Sequence, residues 1–379
     1  MQIKNNIGRA FNCIGSVSAL SFLVACQFND SDAAIAEAPA TVVATGSPQL
    51  VVPPPEPEVV APPLPTAPIA TVPAPVPAPA PVLCDPRKGG PLRTSVYVGN
   101  DAAAVAAAER WLGRDLDAFQ VFIGAASWAD WMGSMPWLAN LFRDVDAQPL
   151  WSLPLIPRGA TLEAAAAGEY DDKYLQMAQQ LLAASGDDAQ IYVRLGWEFN
   201  LRDGFPWAAH NKEDAYVAAF RNVVDAFRSV SNRFVFEWTP NIGDMGMNPE
   251  TAYPGDSYVD VIGIDFYYNN AWDSKDPKVA WNYFVTEKYG LQWQQDFAAA
   301  RGKPTAIGEW GLNYDSAEFV TLAEKWFEDH KLLYQNYWNS NAAFNGKLSD
   351  GQYPRAAAAF EQAFGADPYN GPISIPCRN

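Results

Sequence analysis

The sequence has few of the residues that bind metals or negatively charged partners. It contains only two histidines and four cysteines in 379 residues, and the spacings typical of zinc sites and EF-hand loops are absent. Lys and Arg number 26 against 43 Asp and Glu, so the net charge is −17. Nucleic-acid binding needs a basic surface, which argues against that class of partner. We therefore expect no metal, no cofactor and no nucleic acid.

Aromatic residues, in contrast, are abundant. The chain is 49% hydrophobic and has 14 tryptophans. An acidic, tryptophan-rich chain suits a neutral ligand with stackable faces, such as a sugar, although tryptophans also fill protein cores. Composition alone leaves both interpretations open.

The N-terminal residues have the layout of a bacterial export signal. Lys4 and Arg9 precede an apolar run over residues 11–25, which is shorter than the ~20 residues needed to span a membrane. The run ends in Leu-Val-Ala-Cys, which resembles a lipobox. We predict a signal peptide over 1–25 and lipidation of Cys26, with Gln27 favouring delivery to the outer membrane. An ordinary signal with a chance cysteine is the alternative.

A proline-rich segment separates this anchor from the rest of the chain. Fourteen of the 31 prolines lie between Pro48 and Pro81, so residues 26–83 are predicted to be a semi-rigid linker of polyproline II character. The remaining domain, residues 84–379, is bracketed by Cys84 and Cys377. In an oxidising compartment we expect a disulfide between them; the alternative is two buried thiols.

From Thr94 onward, short apolar strands alternate with helical stretches. This alternation predicts a (β/α)8 TIM barrel, an α/β fold. A doubly wound sheet is the rival, but no glycine-rich phosphate loop follows the first strand. The eight strands are predicted over 95–99, 119–125, 149–156, 190–200, 233–238, 259–266, 305–309 and 332–338.

Polar and aromatic residues collect at the predicted C-terminal ends of strands four to eight, where barrel enzymes place their active sites. Glu198 lies among aromatic residues, which suits a general acid, and Glu309 lies where neighbours can keep it ionised. This pairing of carboxyl groups is the one that glycosidic cleavage requires. Glu237, by its alternation with Trp238, is predicted to point towards the helices. The candidate substrate-binding residues are Arg194, Trp197, Asn200, Trp207, Trp238, Asp265, Tyr267, Trp310 and Trp338.

Four motifs, RLGWEFN (194–200), WTPN (238–241), YPGDSYVDVIGIDFY (253–267) and GEWG (308–311), together resemble glycoside hydrolase family 26. The similarity covers roughly residues 94–365. It implies a (β/α)8 fold and a retaining mechanism. The roles it implies are acid/base for Glu198, nucleophile for Glu309, a hydrogen bond to the nucleophile for Tyr267, a sugar platform for Trp238 and support of the pair for Asp265 and Arg194.

One position departs from the family pattern. The residue before the acid/base glutamate is usually His, and here it is Trp197, which implies that the sugar at the cleavage point can differ from mannose. We expect a monomeric, endo-acting β-glycoside hydrolase with β-1,4-mannan as first choice. β-1,3-Xylan, mixed-linkage β-glucan or an exopolysaccharide is the alternative substrate, and a non-catalytic glycan-binding surface lipoprotein is the alternative class.

Overall fold

The computed structural model describes residues 93–185 and 190–366. The expected signal peptide, linker, lipidated Cys26 and Cys84–Cys377 disulfide lie outside the described residues. Over the part that is described, no helix combines the length and apolar character needed to cross a membrane.

Nine strands of the described chain form one parallel sheet. They are β1 (Thr94–Tyr97), β2 (Ala118–Phe122), β3 (Gln148–Leu153), β4 (Ile191–Leu195), β5 (Phe234–Trp238), β6 (Val261–Ile262), β7 (Asp265–Tyr268), β8 (Ile307–Leu312) and β9 (Gln335–Trp338). The helices between and after them are α1 (Ala102–Leu112), α2 (Trp128–Leu141), α3 (Leu162–Ala166), α4 (Asp171–Ala184), α5 (Glu213–Val230), α6 (Pro277–Thr286), α7 (Leu291–Ala299), α8 (Ala317–Asp329) and α9 (Pro354–Phe364), with a 3-10 helix at Pro249–Ala252.

The sheet closes into a barrel through a strand that is split in two. β6 pairs with β5, and β7 pairs with β8. Isolated parallel bridges join Asn241 to Asp265 and Ile262 to Thr305, so each half also contacts the other neighbour. β6 and β7 therefore fill one position, which gives the eight positions of a (β/α)8 barrel. The predicted fold is confirmed.

Several element boundaries differ from the predicted ones. The predicted sixth strand is broken at Gly263 and Ile264. The helical spacing of the sequence over 162–184 and over 279–300 predicts one helix in each range, and the structure has two in each. Helix α2 is not predicted from the sequence, because it contains Gly133 and Pro136 and has weak amphipathic character. Its start is nevertheless capped by Ser127, whose hydroxyl accepts from the amide of Asp130 at 3.2 Å.

The interior of the barrel is layered, and this layering positions the site. A small apolar cluster from the N-terminal ends of the strands fills the bottom of the barrel. The next inward-facing positions are polar, and the strands end in aromatic and carboxylate side chains. A larger apolar core lies between the sheet and the surrounding helices. The bottom cluster comprises Ala118, Leu150, Tyr192, Val235, Val261, Ala306, Leu333 and Tyr334.

Candidate active site

Glu198 stands on a tight turn directly after β4. Gly196 and Glu198 both have positive φ, 54° and 50°, a conformation that is uncommon for a residue with a side chain. The turn is held by the amide of Glu198, which donates to the carbonyl of Thr239 at 2.7 Å. Such strained residues are concentrated at functional sites, where the surroundings enforce them.

The carboxyl group of Glu198 is poised to hold a proton near neutrality. The side chain is only 7% exposed, and burial together with the nearby charge of Glu309 raises its pKa to about 7. The amide of Asn241 donates to Glu198 Oε1 at 2.6 Å, which opposes part of this rise. Glu198 therefore has the environment of a general acid.

Glu309, on β8, accepts hydrogen bonds at both carboxylate oxygens. Arg194 Nη1 donates to Oε1 at 2.6 Å, and the hydroxyl of Tyr267 donates to Oε2 at 2.5 Å. Burial and the charge of Glu309 raise the pKa of Tyr267 well above its ordinary value, so this phenol stays a donor. These two hydrogen bonds hold the Glu309 carboxylate in a fixed orientation, which suits it to act as a nucleophile.

Arg194 lies beneath the pair and also binds Asp265. The parallel register places Asp265 opposite Glu309, so both side chains face the barrel interior. Burial lowers the pKa of Arg194, but the carboxylates of Asp265 and Glu309 outweigh it and leave the pKa above its ordinary value. The guanidinium is thus a permanent positive charge shared by two buried acids.

A buried polar network, not predicted from the sequence, contacts Arg194 through Ser152, whose Oγ accepts from Arg194 Nη1 at 3.4 Å. Gln120 donates to Ser152 Oγ at 3.0 Å and accepts from Asn336 at 2.5 Å, while Ser95 donates to Asn336 at 2.7 Å. All four side chains are buried. The signal was present in the sequence, because each is a polar residue at an alternate position of an apolar strand.

An aromatic arc lines one side of the mouth above these groups. Trp197 contacts the edge of Phe122 at 5.1 Å between ring centroids, and Tyr97 lies 4.1 Å from Trp338. Phe122 and Trp338 are 6.1 Å apart, which makes the arc continuous, and Trp338 reaches Tyr267 at 6.2 Å. Tyr97 and Phe122 are not among the sequence-predicted site residues. The arc offers an apolar wall of the kind against which sugar rings stack.

Two of the predicted substrate-binding residues, one of them the predicted sugar platform, do not face the mouth. Trp238 and Trp310 are fully buried and face the helices, because they alternate with inward-facing neighbours on their strands. The indole of Trp238 donates to the carbonyl of Ala252 at 3.2 Å, and that of Trp310 donates to Gln335. Neither ring is accessible to a substrate.

Two further predicted binding residues, Trp207 and Asn200, support the turn from behind instead of facing the mouth. The indole of Trp207 donates to the carbonyl of Trp197 at 2.7 Å. The side chain of Asn200 binds the backbone of Asn241 twice, at 2.7 and 2.8 Å. Both side chains are buried, so they hold Glu198 and its partner in place.

The predicted direction of Glu237 is also wrong. The register pairs Glu237 with Arg194, and residues paired in register face the same side of a sheet. Glu237 is therefore inside the barrel, where Thr239 and Tyr334 donate to it. In the described residues, no group of three or more His, Cys, Asp or Glu side chains is arranged to hold a metal ion.

A (β/α)8 barrel with two differently held carboxyl groups at its mouth is an arrangement that glycoside hydrolases use. Residues 169–343 match the sequence model of Glycosyl hydrolase family 26. Endoglucanase H of Acetivibrio thermocellus is 28% identical over 237 residues, or 54% of this chain and 23% of the relative. A mannan endo-1,4-β-mannosidase of Bifidobacterium adolescentis is 32% identical over 116 residues, or 29% of this chain and 11% of the relative. The chain thus spans less than a quarter of either relative.

The fold is similar to that of solved family 26 structures. The modular endo-β-1,4-mannanase of Cellulomonas fimi superposes with a TM-score of 0.53 over 75% of each chain, at 17% sequence identity. The superposition supports a shared (β/α)8 fold. At this sequence identity it carries no information about the substrate.

Proposed function

We propose that this protein is a retaining, endo-acting β-glycoside hydrolase, with Glu198 as acid/base and Glu309 as nucleophile. The observation that carries the proposal is the contrast between the two buried carboxyl groups. Burial and a neighbouring charge raise the pKa of Glu198 to about 7, while Glu309 accepts from Arg194 and Tyr267. A proton donor and an ionised carboxylate are the two groups that this reaction needs.

The residues perform two displacements. Glu309 attacks the anomeric carbon as the glycosidic C–O bond breaks, and Glu198 gives its proton to the departing oxygen. Glu198 then takes a proton from water, whose oxygen attacks the same carbon and releases Glu309 as a carboxylate. Each step inverts the anomeric centre, so the net result is retention, and both residues return to their starting state.

β-1,4-Mannan is the first-choice substrate, supported by the family match and by the mannanase relative. The endoglucanase relative supports mixed-linkage β-glucan as the second candidate. The test is to incubate the full chain with mannan, mixed-linkage β-glucan, β-1,3-xylan and bacterial exopolysaccharides and to size the products. Short oligosaccharides from one glycan are expected, with none from Glu309→Ala. Binding without any product would instead support the glycan-binding alternative.

Trp197 is proposed to influence which sugar occupies the cleavage point, because its ring belongs to the aromatic arc and lies 5.2 Å from the Arg194 guanidinium. Imidazole offers two nitrogens for hydrogen bonds, and indole offers one donor. Trp197→His is expected to raise the ratio of mannan to glucan hydrolysis. Phe205→Leu, a change in a ring whose centroid lies 5.4 Å from that of Trp197, is the control and should leave the ratio unchanged. An unchanged ratio in Trp197→His removes Trp197 as a specificity determinant.

We further propose that the protein is exported and anchored to the bacterial envelope through lipid on Cys26, in the outer membrane. The linker over 26–83 would then hold the barrel away from the lipid surface. Cys26→Ser is expected to move the protein from the membrane fraction and to abolish labelling by a radioactive fatty acid. Retention of label in this variant would contradict the assignment.

A further inference from the structure

The direction of the Tyr267 hydroxyl depends on how the ring that carries it is held. The hydroxyl donates to Glu309 Oε2 at 2.5 Å, from the far end of a half-buried ring. The register pairs Tyr267 with Gly311 on β8, and a β-carbon added at Gly311 would lie 3.1 Å from two carbons of the Tyr267 ring. The ring therefore lies directly against the backbone of β8.

Phe344 packs against the same ring. The centroids of the Phe344 and Tyr267 rings are 4.6 Å apart and their planes are inclined at 50°, a separation typical of favourable aromatic pairs. The β-carbon added at Gly311 would also lie 3.4 Å from Phe344 Cε1, so both rings meet at this glycine. Trp338, the other aromatic neighbour of Tyr267, is farther away, at 6.2 Å.

Phe344 lies in the connection between β9 and α9, which hydrogen bonds hold in place. Buried Asn339, at the start of the connection, accepts from the amide of Leu348 at 2.9 Å. Closer to Phe344, the hydroxyl of Tyr337 donates to the carbonyl of Gly346 at 2.7 Å. A β-carbon added at Gly346 would lie 2.9 Å from Phe344 Cδ1, so the Phe344 ring also packs on its own loop. Phe344 therefore contacts Tyr267 from a fixed position.

We propose that Phe344 is a positioning residue that keeps the Tyr267 ring in the orientation in which its hydroxyl binds Glu309. This inference rests on the proposed nucleophilic role of Glu309. Without the Phe344 ring, Tyr267 can turn into the space left behind, and the carboxylate of Glu309 loses a hydrogen bond that orients it. Small displacements of a reacting group slow its reaction. Loss of Phe344 therefore lowers kcat through Tyr267, while KM changes little.

The test is a double-mutant cycle in the full chain, made of Phe344→Ala, Tyr267→Phe and the double variant. Tyr267→Phe should lower kcat by roughly 10–100-fold, because it removes a hydrogen bond to a charged group. Phe344→Ala alone should lower kcat by roughly 5–50-fold, with KM within about threefold of wild type. The double variant should match Tyr267→Phe in kcat within about twofold, because no hydroxyl remains to be positioned.

The control is Tyr314→Ala, which removes another half-buried aromatic ring at the end of a strand. Tyr314 follows β8 and contacts Tyr268, whose ring stacks on Phe319 of α8 and so faces the helices. Its loss should leave kcat and KM close to those of wild type. Phe344→Leu keeps an apolar side chain and should lower kcat by less than Phe344→Ala. It replaces Phe344→Ala in the cycle if that variant does not fold.

Two results would overturn the proposal. One is a kcat of Phe344→Ala close to wild type, or a loss that multiplies with that of Tyr267→Phe in the double variant. The other is a rise of KM without a fall of kcat, which would mean that Phe344 binds the glycan itself. A wild-type chain that cleaves no glycan would remove the proposed function, and this inference with it.

Discussion

At the scale of single residues, Glu198 and Glu309 show how two side chains of the same type come to differ in their chemistry. Both are buried near Arg194, but only Glu309 binds it directly. Glu198 has a neutral amide as its partner and feels the negative charge of Glu309, so its proton is retained to a higher pH. The difference lies in the partners, and it predicts specific responses to pH.

Removing the amide of Asn241 should move the alkaline limb of the activity profile. Its hydrogen bond lowers the pKa of Glu198, so Asn241→Ala should raise that pKa by roughly one unit. The alkaline limb of kcat/KM is expected to shift to higher pH, measured on the preferred glycan. Asn222→Ala, which removes an amide bonded to the Ala165 carbonyl at 2.8 Å outside the site, should leave the limb in place. A shift towards lower pH in Asn241→Ala would contradict the assignment.

Because its pKa is raised in the folded state, Glu198 lowers the free energy of unfolding when it is ionised. Folding raises this pKa from 4.5 to about 7, so within this window the folded state binds more protons than the unfolded state, and stability falls as pH rises. Glu198→Gln should therefore increase the free energy of unfolding at pH 8 by roughly 1–3 kcal/mol, and by much less at pH 4.5. Denaturant unfolding at both values measures this.

The control for this comparison is Glu328→Gln, which neutralises an exposed carboxylate on α8. It should change stability little at either pH. Equal effects of the two variants would mean that the pKa of Glu198 is not raised by folding.

At the scale of elements, β8 shows how a strand can leave room for charge. A β-carbon added at Gly308 would lie within 3 Å of one atom of each of Arg194, Asp265 and Glu237. Gly308→Ala should displace these side chains and lower the free energy of unfolding by roughly 1–3 kcal/mol. It should also lower kcat, and by more than this amount when the loss is expressed as a free energy. Gly133→Ala is the matched change, because nothing lies within 4 Å of its added β-carbon in α2. It should stabilise by roughly 0.5–1 kcal/mol with unchanged activity.

At the scale of the whole molecule, the sheet separates tryptophans that pack against the helices from tryptophans at the mouth of the barrel. Trp238→Phe should lower the free energy of unfolding by roughly 1–3 kcal/mol while leaving KM and kcat within about twofold, because its ring packs outside the wall. Trp338→Phe, at the mouth, should instead change the kinetic constants. Isothermal unfolding measures the free energy of unfolding of both variants, and steady-state kinetics measures their KM and kcat. A large rise of KM in Trp238→Phe would mean that Trp238 is part of the binding surface.

The sequence by itself determined the strand and helix alternation, and it placed Glu198, Glu309, Tyr267, Asp265 and Arg194 at or near strand ends. These features are local, because a strand's length, parity and final residues can be read along the chain. The tertiary structure brought the other four side chains together near the guanidinium of Arg194.

Only the tertiary structure decided which aromatic and acidic residues face the interior. Trp238 and Trp310 are predicted from the sequence to bind substrate, and Glu237 to point towards the helices. Alternation along a strand gives two possible faces, and the partner strand's register selects between them: β4 assigns Glu237 to the face of Arg194, and with it Trp238 to the helices. That register is a contact between residues 43 positions apart in the chain, and it is set by packing and not by the local sequence.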